Sequence, residues 1–252
     1  MAVSRSVAAL VGAVGVSLAL SSAALAEDKL EWSASLTGTS DYVFRGISQT
    51  DNDPTIQGSI GISYGMFYAG GWASGLDFGG TAAPGDGLDA QIEVDWTAGI
   101  KPTWGPLSFD FGVIWYTYPG ATDFAVEQDY LEFKAGVSGE LAPKLSAGAT
   151  VYYSDDYYYE TGESFVYEGT LAYSLPKMWV FDPTLSGLIG YLDYQDTGAP
   201  KDLTYWNAGV ALAVDNLTFD LRYWDTDYSK ADCGGLDLCE ERFVFSATVA
   251  LP

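Results

Sequence analysis

Through most of the chain hydrophobic residues recur at every second position, the period of strands whose two faces meet different surroundings. From residue 30, Leu30, Trp32, Ala34 and Leu36, then Tyr42 and Phe44, fall on one face. Glu31, Ser33, Ser35, Thr37, Thr39, Asp41 and Arg45 fall on the other. A polar loop over 47–53 leads to a return strand with Ile56, Ile60, Ile62 and Tyr64 against Thr55, Gln57, Ser59 and Ser63. A third strand over 67–78 reads with Tyr68, Trp72, Leu76 and Phe78 outward and the small Ala69, Gly71, Ala73 and Gly75 inward. After the turn residues Pro84-Gly85-Asp86-Gly87 comes the clearest alternation. Leu88, Ala90, Ile92, Val94, Trp96, Ala98 and Ile100 face out, and Asp89, Gln91, Glu93, Asp95, Thr97 and Lys101 face in. A helix would place its apolar residues three and four apart, so the period decides for strand.

The same pattern predicts strands over 107–115, 131–137, 145–153, 165–175, 184–194, 206–214, 217–223 and 241–251. The strand at 184–194 carries apolar residues at both parities, which leaves it without an orientation. Short connections at 65–66, 102–106, 142–144 and 215–216 alternate with longer ones at 47–53, 79–87, 119–126, 155–163, 196–202 and 226–240, and the connection at 176–183 fits less neatly. No apolar run of about 18 residues follows residue 26, so no helix is long enough to span a bilayer. An open sheet in hydrocarbon would leave edge N–H and C=O groups unpaired, at several kcal/mol each. The expected fold is therefore all-β: a single transmembrane antiparallel up-and-down β-barrel of about 12 strands over residues 27–252. Its apolar face would meet lipid and its long loops would face outside.

Residues 1–26 read as an export signal. Arg5 supplies a short positive region, 7–20 an apolar stretch of small residues, and Ala24-Leu25-Ala26 a cleavage site before Glu27. The expected location is the outer membrane of a Gram-negative bacterium.

The opening hairpin also carries a family resemblance. Ser40-Asp41-Tyr42-Val43-Phe44-Arg45-Gly46-Ile47-Ser48-Gln49-Thr50, then Gln57-Gly58-Ser59, then the run from Gly65-Met66-Phe67-Tyr68 to Leu76-Asp77-Phe78, resemble the start of the TorF-family porins of proteobacterial outer membranes. Gly75 stands where that family carries Asn. The resemblance covers residues 40–78 and implies an outer-membrane barrel, with channel activity as the family's own presumed role.

Composition narrows the chemistry. The chain has 34 acidic and 11 basic residues, a formal net charge of −23, and loss of Arg5 makes it more acidic still. Such a chain does not seek nucleic acid by bulk attraction. It contains no histidine, which removes the Ser/His/Asp nucleophile, the imidazole ligand and the commonest general base together. No enzyme activity, catalytic residue, cofactor or metal site is expected. Cys233 and Cys239 lie in the last long loop, and in an oxidising compartment they read as a disulfide. Asp51, Asp53, Asp123, Asp155, Asp156, Glu160, Glu163, Asp225, Asp227 and Asp232 crowd the long loops as a solvated surface without the spacing of a calcium loop. Tryptophans and tyrosines at strand ends, among them Trp32, Tyr64, Trp104, Trp115, Tyr116, Tyr118, Tyr157, Tyr158, Tyr159, Trp206, Tyr223 and Trp224, read as interfacial girdles. Only Tyr116, Tyr130, Tyr152 and Trp224 have lumen-facing parity.

The inward face supplies the candidate pore lining: Glu93, Asp95, Asp110, Glu132, Glu168 and Asp220 against Lys134 and Arg222, with Arg45 as a constriction residue near the outer mouth. So many acids cannot all pair with two bases, so water is expected to reach them. The expected function is a porin-like channel for passive diffusion of small hydrophilic solutes, preferring cations. The alternatives are a non-conducting barrel that binds a partner through its acidic loops, and a soluble all-β domain with an aromatic carbohydrate-binding face. Lipid is the expected partner; the aromatic outer faces suit contact with acyl chains and with further copies in a homo-oligomer alike.

Overall fold

The computed structural model describes residues 29–78, 90–121, 127–196 and 198–251. The signal read over 1–26, and with it Leu88, Asp89, Asp123 and the loop residues 79–87, lie outside the described residues. Twelve wall strands run in chain order as β1 (Leu30–Thr39), β2 (Thr55–Tyr64), β3 (Phe67–Gly75), β4 (Ile92–Ile100), β5 (Leu107–Thr117), β6 (Tyr130–Ala142), β7 (Leu145–Ser154), β8 (Ser164–Ser174), β9 (Asp182–Tyr194), β10 (Leu203–Val214), β11 (Leu217–Thr226) and β12 (Arg242–Leu251). Each pairs antiparallel with its sequence neighbours. β12 returns to pair with β1, from Ala34↔Leu251 to Thr39↔Ser246, so the sheet closes on itself and has no edge. Closure is what makes the wall compatible with hydrocarbon, because every ladder group then finds a partner.

The alternation sorts as a barrel in lipid requires. Trp32, Leu36, Ile56, Ile60, Trp96, Phe133, Leu171, Ile189, Leu221 and Phe243 are exposed on the outer surface, while Ser35, Thr37, Gln57, Glu93, Glu132, Ser146, Glu168, Asn207 and Thr248 are buried inside. The short connections gather at one end, where Gly65-Met66 and Asp215-Asn216 are two-residue turns that begin at positive φ. The segment 175–181 joins them as a tight hairpin extension: Met178 and Phe181 bond each other's backbone, and Trp179 projects at the tip. No helix among the described residues is long and apolar enough to cross a membrane, which is silent about crossing by strands.

Three readings of the pattern are corrected. The face of β3 is reversed: Tyr68, Trp72 and Ser74 point into the lumen, and Ala69, Gly71, Ala73 and Gly75 point out. The two-residue turn pairs Tyr64 with Phe67 and Ser63 with Tyr68, and residues paired across an antiparallel ladder share a face. Tyr68 then lies over Gly99 and Gly112, where a Cβ would collide with its phenol, and reaches Asp110. β9 acquires an orientation, with Leu185, Ile189 and Tyr191 outward and Leu188 and Leu192 buried inward. Its apolar residues run at both parities because the interior at that height is itself apolar. Third, β1 stops at Thr39, so Tyr42 and Phe44 do not continue its lipid face. They belong to a segment that enters the barrel.

Candidate functional site

Residues 40–54, which join β1 to β2, fold inward from the end that carries the long loops. Thr39 Oγ1 donates to the Asp41 carbonyl at 2.7 Å, and the Asp41 carboxylate accepts from Ser48 Oγ at 2.7 Å, Thr50 Oγ1 at 2.8 Å and Arg242 Nη1 at 3.0 Å. That carboxylate ties the stem. Val43–Phe44 and Ile47–Ser48 form a miniature hairpin whose pairing, among the described residues, is only with itself. Its tip is Arg45-Gly46, both at positive φ (50° and 84°), the conformation a two-residue hairpin turn demands. Glycine is favoured at position 46 for a second reason: a Cβ would stand 3.0 Å from Tyr205 Cβ and 3.1 Å from Thr226 Cβ, so the wall would have to give by a few tenths of an ångström.

The tip carries Arg45 to the facing wall, where it is 2% exposed. Its Nη1 and Nη2 donate to Glu132 Oε1 and Oε2 at 2.8 and 2.9 Å, and Nη1 also donates to the Tyr157 hydroxyl at 3.0 Å. Tyr116 donates to Glu132 Oε2 at 3.0 Å. The guanidinium carbon lies 4.7, 5.3 and 5.6 Å from the ring centres of Phe44, Tyr152 and Tyr157. Burial holds the Tyr157 phenol above its ordinary pKa, with the Arg45 guanidinium pulling the other way. Phenol rings fill the rest of this level: Tyr116 stacks on Tyr130 at 4.3 Å, and Tyr130 meets Tyr157 edge-on at 4.9 Å. Tyr42, Val43, Val166, Leu188, Leu192, Leu203 and Tyr205 complete an apolar cluster inside the barrel.

The last long loop closes over the hairpin. Ser48 N–H donates to the Leu238 carbonyl at 2.8 Å. Arg242 Nη2 donates to the Asp237 and Glu240 carbonyls at 3.1 and 2.8 Å. Cys233 and Cys239 are joined in a disulfide, their Cα atoms 6.2 Å apart, and Cys239 is buried beside Leu238 against this contact.

The charged residues Glu93, Asp95, Asp110, Glu132, Lys134, Glu168, Asp220 and Arg222 stand on the inner face of the wall, in two different settings. Toward the short-turn end the lining is only partly covered. Lys134 Nζ bonds Asp110 Oδ2 at 2.9 Å with Lys101 Nζ at 3.8 Å, and Arg222 holds Asp220 through two bonds of 3.1 and 2.9 Å while also reaching Asn207 and Ser186. Toward the long-loop end Glu93, Glu132 and Glu168 are buried, against the expectation that water reaches them. The reason is that Arg45 supplies a third cation and phenols supply the remaining donors. Glu168 takes the Tyr205 hydroxyl at 2.6 Å and the Tyr152 hydroxyl at 3.4 Å, and Glu93 lies 3.5 Å from the Tyr118 hydroxyl. Asp95 Oδ1 is buried with no hydrogen-bond partner among the described residues. Tyr205 reaches Glu168 by crossing Gly190, where any side chain would overlap its ring.

This level also corrects the girdle reading. Trp32, Tyr64, Trp104, Trp115 and Trp206 do stand exposed at the outer surface, whereas Tyr116, Tyr118, Tyr157 and Trp224 are buried in the interior. Tyr42, Trp72 and Tyr205 join them unforeseen. Parity alone could have found Tyr205, which alternates with the outward Trp206. No group of three or more potential metal-ligating side chains occurs among the described residues.

A closed antiparallel ring with a hydrophobic outer band and a polar lining has the fold of a porin-like outer-membrane β-barrel. Residues 23–250 match a family described as bacterial proteins of unknown function (Gcw_chp), and the chain belongs to that family. No curated protein matches it in sequence. Among solved structures it is similar to the KdgM porin, with a TM-score of 0.57 at 8% identity over 88% of this chain and 100% of that one. A second KdgM structure, in complex with disordered oligogalacturonate, gives a TM-score of 0.56 at 8% identity over the same shares of the two chains. The NanC porin gives 0.53 at 11% identity over 87% of this chain and 99% of the other. At these identities the likeness is one of fold.

Proposed function

We propose that the protein is an outer-membrane channel for passive diffusion of small hydrophilic solutes, cation-preferring, with the inward hairpin as its constriction. Residues 1–26 would be the cleaved export signal, and the resemblance of residues 40–78 to TorF-family porins belongs to the same reading. The observation that carries it is a closed barrel whose lining is ionic and only partly covered over the half that bears Asp110, Lys134, Asp220 and Arg222. Charged groups inside a membrane-spanning body are tolerated where they pair or meet water, and partly covered pairs fit a wet vestibule. Cation preference rests on the excess of acids over bases among the inward residues, with Glu93, Asp95 and Glu168 outside the three lumenal ion pairs built on Arg45, Lys134 and Arg222. An acidic lining also argues against an acidic oligosaccharide cargo of the kind bound in the KdgM complex.

The test is planar-bilayer conductance, with the reversal potential measured in a salt gradient before and after Glu93→Gln and Asp95→Asn. Defined current steps, and a reversal potential that moves toward zero in the variants, are expected. The packing around Arg45 favours one second reading, a non-conducting barrel that acts through its acidic outer loops. A folded barrel that stays silent at all voltages selects it.

A further inference from the structure

The surroundings of Arg45 are those of a binding site, not only of an ion pair. A carboxylate presented edge-on to take two parallel N–H bonds, a phenol oxygen as a third acceptor, a second phenol fixing that carboxylate from behind, and ring faces on the flanks are the elements by which proteins recognise a planar cation. Here Glu132, Tyr157, Tyr116 and the rings of Tyr152 and Tyr157 supply them, and all come from β5, β6, β7 and the loop after β7. The occupant comes from elsewhere, on a hairpin that, among the described residues, shares no ladder with the wall. Among the described residues the fit is incomplete, because Arg45 Nε is buried without a hydrogen-bond partner. We infer that the wall carries a receptor for guanidinium groups and that Arg45 fills it as a tethered ligand, so that a solute bearing a guanidinium competes with the chain's own side chain. The use of this site in transport rests on the channel reading above; its occupancy does not.

Deleting the tethered ligand tests the site. Arg45→Gly suits the purpose because glycine accepts the positive φ of the tip without strain. The probe is N-ethylguanidinium, with N-ethylurea as an uncharged compound of the same outline. In detergent-solubilised Arg45→Gly barrel, millimolar N-ethylguanidinium is expected to raise the melting temperature by several degrees, while N-ethylurea leaves it unchanged. Adding Glu132→Gln abolishes the rise. No rise in a folded Arg45→Gly barrel, or an equal rise with both compounds, overturns the inference. If the variant does not fold unaided, the readout is its refolding yield from urea. A gain with N-ethylguanidinium alone supports the site, and no gain over N-ethylurea overturns it. Conductance separates the two proposals. A barrel that binds the probe yet passes no current keeps the site and loses the channel, whereas a conducting barrel whose melting and current both ignore the probe keeps the channel and loses the site.

Discussion

The two halves of the lumen are lined by residues of the same parity on the same strands, yet they are built differently. Near the short turns, Asp110 with Lys134 and Asp220 with Arg222 pair within one strand or between neighbours, and their side chains are 16–28% exposed. Near the long loops, Arg45 and Glu132 pair across the interior at 2% and 1% exposure. The difference lies in where the cation comes from. A wall-borne cation reaches only its own neighbourhood and its pair stays partly exposed, whereas a hairpin-borne cation draws a loop into the lumen and its pair is buried. One barrel can therefore contain a wetter half of partly exposed ion pairs and a drier half of buried ones without any change in the wall's pattern.

Several experiments would break or sharpen that contrast, and the largest effect belongs to the drier half. Glu132→Gln leaves Arg45 as a buried charge without its counter-ion, a loss of about 3–5 kcal/mol when one partner of such a pair is removed. The hairpin should then leave the lumen, and trypsin added from outside to intact cells should cut after Arg45, a bond that is protected in the unaltered barrel. Leu192→Ala empties part of the apolar cluster beneath the hairpin and should cost about 2–5 kcal/mol, read as a lower urea midpoint of the detergent-solubilised barrel. Replacing Cys233 and Cys239 with serine removes a short closed loop worth roughly 2 kcal/mol in the chain-entropy account. Because that loop covers Ser48, the trypsin cut after Arg45 should speed up without the wall melting. Asp220→Asn, in the wetter half, should change stability by less than about 1 kcal/mol, as part-exposed ion pairs do. It should still move the reversal potential toward lower cation preference. A stability loss there as large as that of Glu132→Gln would erase the distinction between the halves.

The sequence carried the wall well because lipid demands an uninterrupted apolar face: Trp32 to Leu36, Ile92 to Ile100 and Phe243 to Leu251 can be read directly. It carried less of the interior. Tyr42 and Phe44 keep the alternation of β1 although the strand ends at Thr39, because a packed lumen rewards the same greasy residues as acyl chains do. On β3 the large aromatics read as lipid-facing, but Tyr68 is inward, where it bonds Asp110 over two glycines. Arg45 was legible as a lumenal residue near the mouth, but its partner was not. Glu132 lies 87 positions away, and only the closure of the ring brings the two together.

That the hairpin, among the described residues, shares no strand ladder with the wall bears on how the molecule is assembled. The wall can zip from strand to strand and seal between its first and last members before Arg45 ever finds Glu132, so the tuck is free to be the final act of maturation. In refolding into detergent, the compact gel mobility of a closed barrel would then be acquired ahead of resistance to trypsin after Arg45. For an interval the protein would exist as an open, fully inserted cylinder.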